Sequence, residues 1–163
     1  METSNSLRHL LIRYSDVMFS AYDTIAEHAS IVEKEGAVWF GKLGKTLGQV
    51  HITRINYQSK KGENSYLFLV QKHGVKYEFY KCKILRLSTE FPKAESKLIP
   101  PYYYDKDILK NISLWIKLSN INQSNYMEID KFHILSSHSS ILSTLRKSMA
   151  ALFVLGEGKG FEF

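Results

Sequence analysis

Gly36-Ala37-Val38-Trp39-Phe40-Gly41-Lys42-Leu43-Gly44-Lys45 is the stretch on which the fold turns. Its first glycine is placed to end a helix, its Val-Trp-Phe core has the apolar, aromatic character of a strand, and its Gly- and Lys-rich end reads as a loop. An indole at a strand end beside cations can stack on a nucleobase while neighbouring lysines hold phosphates. The same tryptophan on a strand can equally be a core residue. The letters Gly44-Lys45-Thr46 do not make a phosphate-binding loop, because the first glycine of that motif is missing.

Upstream, Thr24-Ile25-Ala26-Glu27 has the form of a capping box, and Ile25, His28, Ala29 and Val32 recur on one helical face that stops at Gly36. Residues 6–14 form a short apolar run, read as an opening strand. Downstream, residues 49–57 fit alternation through Val50 and Ile52 about as well as helical spacing through Ile52 and Ile55. Their β-branched content favours a strand. A polar loop, 58–64, leads to two β-rich runs, 65–71 and 75–87, joined at Lys72-His73-Gly74 as a hairpin with Val75, Tyr77 and Phe79 on one face.

Residues 89–107 carry Pro92, Pro100, Pro101 and Tyr102-Tyr103-Tyr104 and read as a long loop, a kind of segment that is commonly functional. The last third predicts a strand over 113–118, a polar connection, a short strand near 132–135 and a serine cluster, 136–140. A helix follows over about 140–148 with Ile141, Leu142 and Leu145 inward, and a closing strand over 150–155. Several antiparallel strands with peripheral helices predict an α+β fold, a small β-barrel.

A chain of 163 residues, 44% hydrophobic, is expected to make one domain. Its net charge of +6 is unevenly spread: residues 1–36 hold three basic and six acidic side chains, 37–86 ten and two, and 87–163 nine and eight. A basic field confined to the middle third is the footprint of a polyanion, nucleic acid first and acidic lipid second; lysine-rich loops that only solvate the domain are the plainer reading. The single cysteine, Cys82, cannot form an internal disulfide, and no zinc-ligand spacing occurs. These features favour a reducing, cytoplasmic setting. No targeting segment and no run of roughly 18 apolar residues is present, so no membrane association is expected.

The sequence holds no Gly-x-Ser-x-Gly elbow, no His-Glu-x-x-His and no paired carboxylates at a telling spacing. Asp105 and Asp107 could hold a cation weakly, and solvation explains them as readily. The expectation is a binding module, not an enzyme, without a cofactor.

The order of a helix, Gly-x-Val-Trp with a Gly/Lys loop, a hairpin, Trp115-Ile116-Lys117-Leu118, and a late Ser-Ser loop before a helix and final strand resembles a PUA-like domain. Within that superfamily it is most similar to the EVE and YTH branch, particularly the N-terminal modules of McrB-type modification-dependent restriction GTPases. The resemblance implies a β-barrel whose pocket receives one flipped, often methylated base between aromatic side chains. Trp39 matches the first cage tryptophan of those families, with Phe40 where a small residue usually follows. Tyr102, Tyr103 and Tyr104 occupy the loop that supplies the other cage aromatic, which here has no tryptophan, and Ser136 and Ser137 stand in the late loop.

Lys42 and Lys45 are near enough to Trp39 in sequence to grip the strand beside a flipped nucleotide, and Lys60 and Lys61 could reach flanking phosphates. The expected ligand is nucleic acid, DNA ahead of RNA, with an AAA+ GTPase motor and a nuclease as partners in cis or in trans. Core packing is the plainer role for Trp115, surface cover for the tyrosines, and helix capping for Ser139 or Ser140. Two other classes stay open: a structured-RNA binder indifferent to modification, and a protein-interaction module using the tyrosine loop. Residues 1–155 are expected to form the domain and 156–163 a flexible tail or linker.

Overall fold

A computed structural model describes residues 7–16 and 23–162; Ser6 of the expected opening strand, the N-terminal residues 1–5 and Phe163 of the expected tail lie outside the described residues. The first strand, β1, is His9–Arg13. The first helix, α1, spans Thr24–Glu35, and its cap is Asp23, one residue before the predicted box: the Asp23 carboxylate accepts from the Ala26 N–H. Gly36 closes the helix at φ 88°, where a side chain would be strained, and donates to Val32 O.

Strand β2, Val38–Leu43, follows as expected. Residues 49–57, which the sequence leaves open between strand and helix, are helical: Gln49–Lys60 is a 12-residue helix, α2, which takes in Gln58–Lys60 of the expected loop and buries Ile52, Ile55 and Gln58 on one side. Tertiary packing decides this ambiguous segment. Ile52 and Ile55 enter the main core, and Asn56 is clamped to β4 by exchanging two hydrogen bonds with the Leu87 main chain.

The hairpin is present as β3, Tyr66–His73, and β4, Lys76–Ser88. Its turn is Gly74-Val75 where Lys72-His73-Gly74 was expected, which leaves Val75 exposed in the turn instead of on a strand face with Tyr77 and Phe79. Alternation sends Phe79 to one core and Cys82 and Ile84 to the other, and register shifts between Cys82 and Arg86 bring Leu87 to the side of Ile84.

Residues 89–107, expected as a structureless loop, contain two 3-10 helices, Lys93–Leu98 and Pro101–Tyr104, and run into a short α3, Lys106–Leu109. Strand β5, Ile112–Ser124, is twice its predicted length, because its polar second half pairs with Phe79–Cys82 of β4 instead of forming a connection. A short α4, Tyr126–Ile129, leads to β6, Phe132–Ile134. Helix α5, Ile141–Lys147, is capped by the Ser140 hydroxyl, and β7 is Leu152–Glu157.

The seven strands form one sheet in the order β2-β5-β4-β3-β1-β7-β6. All neighbours are antiparallel except β1 and β3, which are parallel. The architecture is α+β, as expected, but no ladder among the described residues joins β2 to β6, so the sheet is open where closure into a barrel was predicted. It curls all the same: Phe40 of β2 packs in one core with Leu10 and Ile12 of β1, four places away in the strand order. Beyond β7, Phe161 pairs with Ser139, donating to His138 O and accepting from Ser140 N.

Candidate functional site

Curling brings the ends of β1, β2 and β3 around a cleft of about 600 Å³, within the roughly 300–1,000 Å³ usual for small-ligand sites. Its walls include Ile12 and Tyr14 at the end of β1, Phe40 and Gly41 on β2, Gln71 on β3, and Tyr102 and Tyr103 from the second 3-10 helix. Met149 and Ala151, between α5 and β7, complete the far side. Most of the lining is apolar or aromatic.

The rings are held by a hydrogen-bond relay. Gly41 N–H donates to the Tyr103 hydroxyl (2.9 Å), which donates to His28 Nε2 (2.8 Å), and His28 Nδ1–H donates to Thr24 O (2.7 Å). Burial pushes the His28 imidazole down to about 4, so it is neutral at ordinary pH and accepts from the phenol. Burial likewise raises the Tyr103 hydroxyl well above its usual value and Tyr102 to about 12, keeping both protonated. Tyr102 stacks on Tyr103 with centroids 4.4 Å apart, so a locked ring supports a half-buried one at the cleft wall. Gly41 admits this arrangement because a Cβ there would meet Tyr103 at 3.0 Å and Ile112 at 2.8 Å.

Two buried side-chain atoms lack a hydrogen-bond partner among the described residues, Arg13 Nε and the Tyr14 hydroxyl, and both belong to cleft residues. The Arg13 guanidinium is otherwise occupied at the end of α5, donating from Nη2 to Leu145 O and Ser148 O, both at 2.6 Å. The Tyr14 side chain faces the Leu10–Ile12 core, and burial raises its pKa, so the hydroxyl keeps its proton. A buried hydroxyl without a partner costs about 1–3 kcal/mol, which a ligand can recover. Beside it, Asp16 is braced by Thr24 and Gln71: its carboxylate accepts from Thr24 N–H (3.0 Å) and hydroxyl (2.6 Å), and its N–H donates to Gln71 Oε1 (2.6 Å). These hydrogen bonds hold the Asp16 carboxyl below its ordinary value against the opposing effect of burial.

Trp39 is placed elsewhere. It is 1% exposed in a closed cluster with Ile99, Tyr103, Ile108 and Trp115, and it does not line the cleft. Its indole N–H donates to Glu95 Oε1 (3.0 Å), whose other oxygen takes Lys117 Nζ (2.9 Å). That lysine, more than the indole, holds the Glu95 carboxyl low. Of the expected pocket residues, Phe40, Tyr102 and Tyr103 meet at the cleft. Tyr104 is exposed and packs edge-on against Phe91. Ser136 and Ser137 are exposed on the turn before α5, where Ser137 bonds Ser139.

Lys42 lines the cleft but is 7% exposed, and Nζ donates to Leu43 O and Lys45 O. It ties down its own loop, and burial lowers its pKa. Lys45 is exposed beside the cleft residue Gly44, whereas Lys60 and Lys61 are exposed at the far end of α2. Sequence reasoning missed Tyr14 as a cleft residue and His28 as the buried support of Tyr103. Alternation from Leu10 and Ile12 was the available signal for Tyr14; nothing local announced the partner of His28.

A family model described as Pua-like matches residues 10–150, from within β1 to the segment before β7. The chain belongs to the Pua-like family. Pua-like domains generally bind nucleic acids and are typically non-catalytic RNA-binding modules. The comparisons with curated proteins and with solved structures return no match. Among the described residues of this Pua-like domain, no group of three or more His, Cys, Asp or Glu is arranged to hold a metal ion. No helix among them is long and apolar enough to cross a membrane.

Proposed function

We propose that this Pua-like domain binds a nucleic-acid strand and accepts one base, carrying a modification such as a methyl group, in the cleft walled by Phe40, Tyr102 and Tyr103. The observation that carries the reading is an aromatic cleft of about 600 Å³ with the unpaired Tyr14 hydroxyl buried in its lining. A base entering it stacks against Tyr102, and its edge gives the hydroxyl the partner it lacks. Extruding a base costs a few kcal/mol, and each aromatic contact returns roughly 1–3 kcal/mol, so phosphate contacts must supply the remaining affinity. An added methyl on the base buries further apolar area in such a wall, about 0.8 kcal/mol for each carbon.

The resemblance to EVE and YTH domains supports modified-base reading, and the likeness to McrB-type modules supports a role as the recognition domain of a modification-dependent restriction system acting with an AAA+ GTPase and a nuclease. In that system the ligand is DNA. The RNA-binding habit of the family favours a second reading, binding of RNA without dependence on modification.

Fluorescence anisotropy at fixed salt, with matched DNA and RNA oligonucleotides unmodified or carrying N6-methyladenine, 5-methylcytosine or 5-hydroxymethylcytosine, separates these readings. The expected result is a preference for one modified strand that Tyr102→Ala and Tyr14→Phe both abolish. Binding that ignores modification and survives both substitutions overturns the base-reading proposal. Preference for RNA over DNA, equal for modified and unmodified strands, would establish the second reading in its place.

A further inference from the structure

Helix α2 turns a segment with no obvious sequence pattern into a one-sided surface. Ile52, Ile55 and Gln58 are buried. The opposite side presents Val50, Arg54, Tyr57 and Lys61 at helical spacing, with Lys60 exposed beside them. Residues 49–62 contain no acidic side chain.

Arg8 adds a further cation from outside the helix. Its main chain is pinned to α2 by Gln58, which accepts from Arg8 N–H (2.8 Å) and donates to Arg8 O (3.0 Å). Its guanidinium then extends back along the helix to donate to His51 Nδ1 (3.0 Å). The His51 ring is therefore an acceptor, kept neutral by burial and by the arginine, whereas Arg8 and Arg54 are like charges close enough to disfavour each other. Gathering cations at one place costs stability unless an anion offsets it.

Tyr57 is 56% exposed and carries the Lys61 ammonium 5.3 Å from its ring centroid. An exposed ring bordered by cations is the combination that holds single strands, with the ring stacking a base and the charges following the backbone. Continuity with the cleft comes from the chain: Gly44 lines the cleft, Gly48 starts α2, and Lys45 lies between.

We infer that the outer face of α2, with Arg8, Arg54, Tyr57, Lys60 and Lys61, is a docking surface for a single-stranded stretch of the same nucleic acid whose base enters the cleft. It rests on the nucleic-acid reading above. The strand leaves the cleft at Gly44, passes Lys45 and runs along about 18 Å of helix. This surface supplies affinity and salt dependence, and the cleft supplies selectivity.

The test is the salt dependence of binding to a single-stranded oligonucleotide, for the wild type, the exposed pair Lys60→Gln/Lys61→Gln, the triple variant that adds Arg54→Gln, and Tyr57→Ala. For single strands each lost phosphate contact lowers the slope of log K against log salt by about 0.7, so the pair is expected to lose about 1.4 and the triple about 2. Tyr57→Ala is expected to weaken binding roughly 5- to 150-fold without changing the slope. Tyr102→Ala, read in parallel, should keep the slope and lose the preference for modification. If the pair and the triple both retain the wild-type slope while the wild type binds, the α2 surface is refuted and the cleft reading stands. If the wild type binds no oligonucleotide, both fail together.

Discussion

Trp39 and Phe40 are adjacent in sequence and face opposite sides of β2, and the two aromatic groups they enter differ in one respect that matters. The Trp39 cluster is closed: its rings pack on one another and the indole N–H is spent on Glu95. The Phe40 side opens into the cleft, where Tyr102 is half-buried and the Tyr14 hydroxyl is unpaired. Both are rich in aromatics, so residue type alone does not tell a core from a site. Exposure and unmet hydrogen bonds do.

This contrast can be broken most sharply at Trp39. If its cluster is purely core, Trp39→Ala should destabilise the fold by about 3–5 kcal/mol, read as a large drop in the urea midpoint. A variant that stays as stable as the wild type and loses only ligand binding would move Trp39 back to the site.

Acid probes the relay beneath the cleft. His28 titrates near 4 in the folded protein and near its ordinary 6.5 when unfolded, so the unfolded chain takes up the proton first. Its contribution to stability is complete above pH 6.5 and is lost as pH falls toward 4, by roughly 3 kcal/mol. Burial also lowers His9, partly opposed by Glu157, and acts in the same direction. Denaturation midpoints of the wild type and His28→Leu across that interval check this; equal slopes would remove His28 as the cause.

Between the two regions stands Tyr103, whose ring belongs to the closed cluster and also lines the cleft. Tyr103→Phe leaves the Gly41 N–H and His28 Nε2 without their partner and is expected to cost about 1–3 kcal/mol. The smallest loss of stability, none, is expected at Tyr14. Removing its hydroxyl breaks no hydrogen bond among the described residues and relieves an unpaired buried group, so Tyr14→Phe should leave stability unchanged or raise it by up to about 1–3 kcal/mol while weakening ligand binding. A clear loss of stability would show that the hydroxyl already serves the fold.

Several elements were legible because their signals are local. Gly36 ends α1 through its own backbone freedom, Ser140 caps α5 through a hydroxyl three residues from its partner, and β3 and β4 alternate beside a short turn. Where two periodicities competed, as at Ile52 and Ile55, sequence could not choose; contact with the β1–β5 core did. Residues 89–107 hid short 3-10 turns behind their prolines, since those turns exist through packing on β2 and β5. At the site, Phe40 was named in advance through the resemblance and Tyr102 and Tyr103 through their loop, and all three line the cleft, whereas the inward direction of Tyr14 depends on the curl of the sheet.

The amino-acid sequence by itself determined an α+β chain with a basic middle third, two well-marked helices and the helix–strand–loop order around Trp39, because caps, alternation and charge act over a few residues. Tertiary structure decided which side of β2 faces the cleft, which lysine is tied to its own loop and which are exposed, and that α2 displays its cations on one face. Lys42 is tied within its own loop, but the cleft and the α2 face depend on side chains that meet from positions 50 or more residues apart, as His28 meets Tyr103 and Arg8 meets Gln58. Only the folded chain sets those distances.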